Sequence, residues 1–291
     1  MFKGSFVALV TPFRADTIDE KAYQSFIEWQ VSEGTHGLVP CGTTGESPTL
    51  SHAEHRRVIE LCIEAANGRV PVIAGTGSNS TAEAIALTRH AKEAGADAAL
   101  VITPYYNKPS QEGLYRHYEA IHNAVDLPIV IYNIPGRCVV DMSVATMARL
   151  AALPNIVGVK DATTDLARPS ATRRAIGNDF CQLSGEDATA LAFLAEGGHG
   201  CISVTANVAP KPLSEMHEAW WRGDISAARK IQDSLVPVHE VMFVDTNPCP
   251  VKYAVSLRGH CGGALRLPLV EVSETNKERI QKVLEAAGLL A

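Results

Sequence analysis

The 291-residue sequence lacks the features expected of a protein that binds nucleic acid or spans a membrane. Its formal net charge is −6, and no run of Lys or Arg provides the basic excess that a phosphate-binding surface requires. No unbroken apolar run approaches the roughly 18 residues of a membrane span. The apolar start, MFKGSFVALVTPF, has neither the long hydrophobic core nor the small-residue cleavage site of a signal peptide. We therefore expect a cytoplasmic protein with no nucleic-acid or membrane partner, which begins with a strand.

Signatures of metal and nucleotide binding are also scarce. The seven cysteines are scattered without any C-x-x-C pair, which is typical of reduced thiols. The segment Gly75–Ser80 follows a predicted strand and precedes Asp97 by about 20 residues, but Ser80 replaces the third glycine of a dinucleotide fingerprint. His52 and His55 share one helical face without an evident third ligand, so we interpret them as surface histidines. The sequence predicts neither an NAD site nor a metal site.

What the sequence does contain is a regular alternation of short apolar runs and longer segments with helical periodicity. Runs such as VPVIAG and PIVIYN are apolar at nearly every position, as in a parallel sheet covered by helices. The predicted strands are Phe6–Val10, Gly37–Cys41, Val70–Gly75, Ala98–Thr103, Pro128–Asn133, Ile156–Lys160, Cys181–Gly185 and Gly200–Val204. The predicted helices between them are Asp19–Glu33, Ser51–Asn67, Thr81–Ala94, Gln111–Ala124, Ser143–Leu153, Leu166–Gly177 and Asp187–Gly197.

About eight strand–helix units without a shift in composition favour one closed (β/α)8 barrel over two α/β domains. After Val204 the alternation stops, and further helices are predicted at Pro210–Arg222, Ile225–Phe243, Pro250–Arg258 and Ser273–Leu290. We expect a catalytic barrel over residues 1–223 and a helical C-terminal extension over residues 224–291. Pro237 predicts a kink in the second of these helices.

Lys160 is the most informative residue, because active sites of such barrels lie at the carboxyl ends of the strands. It ends the apolar run Ile156–Val159, so its amine is expected at the mouth of the barrel. Desolvation there disfavours the charged form, and a neutral amine attacks a ketone to form an imine. The alternative is a lysine that extends to solvent from a strand end. Position alone leaves both interpretations open.

Polar groups at neighbouring strand ends suit the same chemistry. Tyr132 ends the adjacent predicted strand and is a candidate proton shuttle, although a core tyrosine is the commoner case. Arg137 follows a turn and suits an anionic substrate, or is a solvated loop charge. The glycines of the loop Gly42–Glu46 allow its backbone amides and hydroxyls to approach a substrate carboxylate. The alternative is a simple turn. The loop is not a nucleotide-binding Walker loop, because it lacks the Gly-Lys-Ser/Thr ending.

Ordered motifs over nearly the whole chain resemble the pyruvate-dependent class I aldolases, the N-acetylneuraminate lyase family. They are VALVTPF, CGTTGESPTL, AGTGSNSTAEAI, ITPYYNKPSQEGLYRHY, YNIPGR, VGVKDAT, LSGEDA, GGHGCISVTANV and NPCPVKYA. Within the family, the resemblance is to members that condense pyruvate with L-aspartate 4-semialdehyde to 4-hydroxy-tetrahydrodipicolinate, the entry step of lysine biosynthesis through diaminopimelate. The resemblance implies a covalent imine on Lys160, no metal or organic cofactor, and a homotetramer built as a dimer of dimers.

The resemblance also implies residue roles. Lys160 matches the imine-forming lysine, Tyr132 the proton-relaying tyrosine, Thr43 its relay partner, and Tyr106 a tyrosine supplied by the adjacent subunit. Thr44, Gly185 and Ile202 match pyruvate-pocket positions, and Arg137 matches the arginine that holds the semialdehyde carboxylate. Gly136 is a departure, because a serine often stands there. Family members inhibited by L-lysine bind it at a dimer interface, and the matching positions here are Ser47, Pro48, His52, His55, Asn79, Glu83 and Tyr105.

The sequence leaves two other classes of function open. N-acetylneuraminate lyases and 2-keto-3-deoxy sugar-acid aldolases share the barrel and the lysine, but usually lack an arginine at the position of Arg137. A non-catalytic relative that only binds a small metabolite such as lysine has no need for the complete set of matching residues, which is Lys160, Tyr132, Thr43, Tyr106 and Arg137.

Overall fold

A computed structural model describes residues 2–290. Met1, at the start of the predicted barrel segment 1–223, and Ala291, at the end of the predicted extension 224–291, lie outside the described residues. The sheet has eight parallel strands. In chain order they are Gly4–Ala8, Gly37–Val39, Ile73–Gly75, Ala98–Ile102, Ile129–Asn133, Ile156–Asp161, Cys181–Ser184 and Gly200–Ser203. With the helices that alternate with them, they make a (β/α)8 barrel followed by a C-terminal helical extension. The predicted fold class is confirmed.

The α-helices of eight or more residues account for most of the remaining chain. They are Glu20–Ser32, His52–Ala66, Thr81–Ala94, Gln111–Ala124, Arg168–Ile176, Pro210–Trp221, Ile225–Val241, Cys249–Leu257 and Glu274–Ala286. Shorter α-helices are Pro135–Cys138, Val144–Leu150 and Ala190–Ala195, and 3-10 turns lie at Ser47–Thr49 and Thr205–Asn207. None of the helices in the described part of the chain is long and apolar enough to cross a membrane.

The chain divides into two compact units. One combines the N-terminal residues up to Lys3 with Ile73–Ile202, and the other combines Gly4–Val72 with the chain from Ser203 onward. In the first unit the strands from Ile73–Gly75 to Gly200–Ser203 pair in sequence order, each parallel to the next. In the second unit the first two barrel strands pair in parallel. The predicted boundary between residues 223 and 224 stays a prediction.

All eight predicted strands are present, with differences at their ends. The largest difference between a predicted and an observed strand start is in the predicted strand Val70–Gly75, which begins only at Ile73 in the structure. The predicted Phe6–Val10 instead begins at Gly4 and ends at Ala8, because the pairing rather than the apolar run sets its limits. A two-stranded antiparallel hairpin, Phe13–Arg14 with Thr17–Ile18, was not predicted.

The helix signals in the sequence were reliable. Thr81–Ala94 and Gln111–Ala124 have the predicted bounds. Ser51 Oγ accepts from the backbone N–H of Glu54 at 3.2 Å, and the Glu54 carboxylate accepts from the N–H of Ser51 at 2.8 Å, so a capping box begins the helix His52–Ala66. The segment Asp187–Gly197 is helical only over Ala190–Ala195. Helix Ile225–Val241 contains Pro237 without ending there.

Candidate active site

Lys160 and Tyr132 lie side by side near the carboxyl ends of two neighbouring strands of the first unit. They are register partners, and both are buried, at 6% exposure each. The Lys160 Nζ lies 4.2 Å from the centroid of the Tyr132 ring. Side chains alternate between the two faces of a sheet, and register partners on adjacent strands lie on the same face. The Lys160 and Tyr132 side chains therefore share one face of the sheet. The alternative of a lysine that extends into solvent does not describe this residue.

Gly185 and Ile202, two predicted pyruvate-pocket positions of the same unit, lie near the carboxyl ends of the next two strands. Gly185 directly follows the strand Cys181–Ser184, and its backbone N–H donates to the Asp161 carbonyl at 2.7 Å. A Cβ added at Gly185 would lie 2.7 Å from the Ala162 Cβ and 3.2 Å from the Lys160 Cε. Ile202, on the next strand, is fully buried. The absence of a side chain at Gly185 therefore leaves room for the lysine.

We expect Gly185→Ala to lower kcat/KM for pyruvate by roughly tenfold or more, because even a small displacement of a reacting group is costly. The added methyl group overlaps Ala162 and presses on the lysine chain. Steady-state kinetics at saturating second substrate measure the effect. Gly262→Ala is the matched control, since its Cβ would approach nothing closer than 3.7 Å. Equal rates for the two variants and wild type would contradict the assigned closeness.

Arg137 lies just beyond the strand that carries Tyr132. It belongs to the one-turn helix Pro135–Cys138 rather than to the predicted plain turn, and its backbone N–H donates to the Ile134 carbonyl at 3.0 Å. Its side chain is exposed. A Cβ at Gly136 would meet nothing within 4 Å, so the glycine found where a serine is frequent leaves the neighbouring packing unchanged.

Glu186 is a charged group of this site for which the sequence motifs predicted no role. It is half-buried beside Gly185, and its backbone N–H donates to Ser184 Oγ at 3.0 Å. Burial and the charge of Asp187 raise the pKa of the Glu186 carboxyl, while the positive charges of Lys160 and Arg137 oppose the rise. The sequence signal for Glu186 was its place in the motif LSGEDA, directly after the predicted strand Cys181–Gly185.

The raised pKa of Glu186 has a consequence for stability. Above the unfolded-state pKa of about 4.3, the unfolded chain carries a charge that folding must bury. Glu186→Gln removes that cost, so we expect the variant to gain stability over wild type as pH rises from about 4 towards neutrality. Urea titrations at several pH values measure this difference. A gain that grows as the pH falls would contradict the assigned direction.

The loop Gly42–Glu46 lies in the second unit and is held from several sides. Thr11 Oγ1 donates to the Gly45 carbonyl at 2.7 Å. The Asn247 side-chain amide donates to Thr44 Oγ1 at 3.1 Å, which leaves the hydroxyl proton of the buried Thr44 to donate elsewhere. Thr43 is half-buried in the same loop. The loop is therefore a fixed structure with oriented hydroxyls rather than a simple turn.

A buried ion pair anchors this loop, and sequence reasoning missed it. The Lys252 Nζ lies 2.5 Å from Glu46 Oε1, and both side chains are fully buried. The other Glu46 carboxylate oxygen accepts from the backbone N–H of Arg266 at 3.1 Å. Burial lowers the pKa of Lys252, and the Glu46 carboxylate opposes the fall. The motif NPCPVKYA contains the lysine, but nothing in the sequence links it to Glu46.

The residues predicted to bind L-lysine fall in both units. In the first unit, Ser78 Oγ donates to the Glu83 carboxylate, and Asn107 Nδ2 donates to the Asn79 carbonyl at 2.9 Å. Tyr105 is half-buried, and the adjacent Tyr106 is 90% exposed with a left-handed φ of 71°. So large an exposed ring is available for contact with another subunit, the role predicted for Tyr106.

In the second unit, Ser47 and Pro48 begin the 3-10 turn, and His52 begins the following helix. His52 is exposed, but His55 is only 4% exposed, so the prediction of two surface histidines is wrong for His55. His55 lies about one turn into the helix His52–Ala66 and is one of its buried residues. Within residues 2–290, no group of three or more His, Cys, Asp or Glu side chains is placed to hold a metal ion.

Eight parallel strands with a buried lysine and tyrosine at their carboxyl ends define an enzyme of the (β/α)8-barrel type. The model of the dihydrodipicolinate synthetase family matches residues 1–287, and the chain belongs to this family. The 4-hydroxy-tetrahydrodipicolinate synthases of Rhodospirillum centenum and Parvibaculum lavamentivorans are 69% and 61% identical to it over all of both chains. The chain is thus a lyase of this family, which confirms the resemblance stated from its motifs.

Solved structures agree with this assignment. The dihydrodipicolinate synthase of Aquifex aeolicus is 47% identical over 99% of both chains, with a TM-score of 0.97. The enzyme of Acinetobacter baumannii, solved in complex with pyruvate, is 47% identical over all of both chains, with a TM-score of 0.97. The enzyme of Cyanidioschyzon merolae, solved with lysine bound, is 38% identical over 99% of both chains, with a TM-score of 0.96.

Proposed function

We propose that the protein condenses pyruvate with L-aspartate 4-semialdehyde through a covalent imine on Lys160. The observation that carries the proposal is the buried Lys160 amine, 4.2 Å from the ring centroid of Tyr132 near the strand ends. Burial of Lys160 near the strand ends removes its amine from bulk water, and the neutral form of a lysine amine is a nucleophile towards ketones. The pyruvate complex of the Acinetobacter baumannii relative supports pyruvate as the first substrate.

The chemistry follows from the amine. Lys160 Nζ adds to the pyruvate ketone carbon, and water leaves as the imine forms. Loss of a methyl proton gives an enamine, whose carbon attacks the semialdehyde aldehyde and forms the new C–C bond. The substrate amine then adds to the imine carbon, closes the ring and displaces Lys160. The imine itself serves as the electron sink, so the proposed mechanism uses no metal or organic cofactor.

Tyr132 is the proposed proton shuttle for these steps, since its ring lies against the amine. The roles of Thr43 as its relay partner, Thr44 as a pyruvate-carboxylate contact and Tyr106 as a residue supplied by an adjacent subunit remain predictions from the family resemblance. The same holds for the homotetramer. The oriented hydroxyl of Thr44 and the exposed ring of Tyr106 support these roles.

Arg137 is proposed to hold the carboxylate of the semialdehyde. Its guanidinium is exposed one turn beyond the strand of Tyr132, and a guanidinium binds a carboxylate in a bidentate manner. This group argues against a sugar-acid substrate, whose aldolases usually lack an arginine at this position. Glu186, two residues beyond the strand Cys181–Ser184, provides a carboxylate suited to the substrate ammonium group.

Product analysis tests the proposal. The purified protein, dialysed against a chelator, is incubated with pyruvate and L-aspartate 4-semialdehyde, and the product is identified by mass spectrometry. A parallel sample receives N-acetylneuraminate. We expect the condensation product in the first sample and no pyruvate release in the second. Pyruvate release from the sugar acid, or no reaction in either sample, would overturn the proposed function.

We further propose that L-lysine inhibits the enzyme at a site that includes Glu83, Asn79 and Tyr105. The lysine-bound structure of the Cyanidioschyzon merolae relative supports a lysine site in this family. Glu83 offers a carboxylate for the ligand ammonium, while Asn79 and Tyr105 offer polar groups for its carboxylate.

Inhibition kinetics of Glu83→Gln test the proposed lysine site. A lost charge-assisted hydrogen bond is worth about 1.5 kcal/mol or more, so the lysine concentration for half-inhibition should rise by roughly tenfold. Each protein is compared with its own uninhibited rate. Asp97→Asn, in the same unit but outside the assigned site, is the control. Absence of inhibition of the wild type at millimolar lysine would end this idea.

A further inference from the structure

Behind the Lys160–Tyr132 pair lies a polar network whose members follow these two residues in sequence. Asn133 and Asp161 are register partners, one position beyond the pair on the same two strands. Because consecutive strand residues face opposite sides, their side chains point away from the face that carries the lysine and the tyrosine. Both are buried, at 0% and 6% exposure.

Arg168 is the centre of this network. Its side chain is 11% exposed, and its guanidinium reaches three groups at once. Nε donates to Asp161 Oδ2 at 2.9 Å, and Nη2 donates to the Met142 carbonyl at 2.8 Å. Nη1 lies 3.4 Å from Asp141 Oδ2. A planar guanidinium with several fixed donors holds such groups in one geometry, which a lysine ammonium does not reproduce.

The remaining bonds close the network around the strand ends. Asn133 Nδ2 donates to Asp141 Oδ1 at 2.8 Å, and Asn133 Oδ1 accepts from the Met142 backbone N–H at 3.0 Å. Asp161 Oδ1 accepts from the backbone N–H and the hydroxyl of Thr163, at 2.9 and 2.6 Å. The segment Ile134–Asp141, which carries Arg137, is thereby fixed to the strand ends at its start and its end.

We propose that Arg168 is a positioning residue, which through Asp161 and Asp141 fixes the segment that carries Arg137 relative to the strand end of Lys160. A buried ion pair contributes little net stability, because desolvation offsets the attraction between the charges. Its effect here is geometric. Two of the three contacts of Arg168 are to residues 141 and 142, so its loss releases the Arg137 segment more than it disturbs the lysine.

The kinetic part of this inference rests on the proposed function. In Arg168→Met, kcat/KM for the semialdehyde should fall about tenfold or more, while borohydride trapping of pyruvate on Lys160 slows less than about threefold. Arg168→Lys should not restore the activity, because an ammonium group cannot make the three contacts. Free guanidinium should restore part of the activity of Arg168→Ala. Arg149→Met is the matched control, since Arg149 forms an exposed ion pair with Glu112 at 2.9 Å in the same unit.

A second measurement is independent of catalysis. Hydrogen exchange should accelerate at the backbone amides of Cys138, Met142 and Thr163 in Arg168→Met and stay unchanged in Arg149→Met. Unchanged exchange at these amides would overturn the positioning role, whatever the enzyme does with pyruvate. Faster exchange with wild-type kcat/KM for both substrates would also overturn it. Failure of the wild type to trap pyruvate, with faster exchange in the variant, would refute the proposed function and leave the positioning of the segment supported.

Discussion

Replacement of Lys160 by methionine is expected to lower kcat by about 10³-fold or more, which corresponds to at least ~4 kcal/mol of lost transition-state stabilisation. The methionine side chain fills a similar volume, so the neighbouring Tyr132 ring keeps a partner in the core. Without the amine no imine forms, and the electron sink for the enamine is lost. Steady-state rates with pyruvate and the semialdehyde measure the loss.

The control for this variant is Lys211→Ala, because Lys211 is an exposed lysine outside the candidate site. It should retain wild-type turnover, and circular dichroism should show both variants folded. A Lys160→Met protein that turns over at more than about a tenth of the wild-type rate would show that the amine is not the nucleophile.

Tyr132→Phe is expected to lower kcat by roughly 10²- to 10³-fold while changing KM for pyruvate little. The substitution keeps the ring that lies 4.2 Å from the Lys160 amine and removes only the hydroxyl. General acid–base catalysis contributes about 10²- to 10⁴-fold, and the proposed shuttle acts in several steps. Stopped-flow measurement of imine formation should show that this step also slows.

Tyr118→Phe separates a shuttle from a structural tyrosine. Tyr118 is a fully buried tyrosine of the same unit, and its hydroxyl donates to the Val101 carbonyl at 2.7 Å. We expect its loss to reduce stability by about 1 kcal/mol and to leave kcat within about twofold of wild type. Equal effects of the two substitutions on kcat would refute a special role of Tyr132.

The sequence was sufficient for the strand and helix order and for the central pair of residues. Short β-branched runs such as Ile129–Ile131, between helical segments, favour strands buried on both faces, and residues at the carboxyl ends of such strands meet at one edge of a barrel. Lys160 and Tyr132 are therefore predicted at this edge from the sequence. The family resemblance then supplied roles that geometry alone does not assign.

Other features depend on contacts that no local pattern encodes. Glu46 and Lys252 are 206 residues apart in sequence, and their ion pair follows from the fold. Arg168 has no sequence pattern that sets it apart from other helix residues, yet it contacts three residues of two other segments. The burial of His55 against the exposure of His52 depends on what packs on the helix, which periodicity in a short stretch does not show.

The described residues contain two buried lysines, Lys160 and Lys252, and their surroundings distinguish a nucleophilic amine from a structural one. Lys252 is fully buried with its amine 2.5 Å from the Glu46 carboxylate, a geometry suited to anchoring the loop of Thr43 and Thr44. Lys160 instead lies against an aromatic ring at a strand end. The Lys252 side chain is fully enclosed and its amine is bonded to the Glu46 carboxylate, so it is not placed to attack a ketone.

Borohydride reduction of the wild-type protein in the presence of pyruvate, followed by mass mapping of the peptides, tests the central claim most directly. The account predicts one reduced pyruvate adduct, located on Lys160, with Lys252 unmodified. An adduct on another lysine, or none under conditions in which the semialdehyde is consumed, would contradict it.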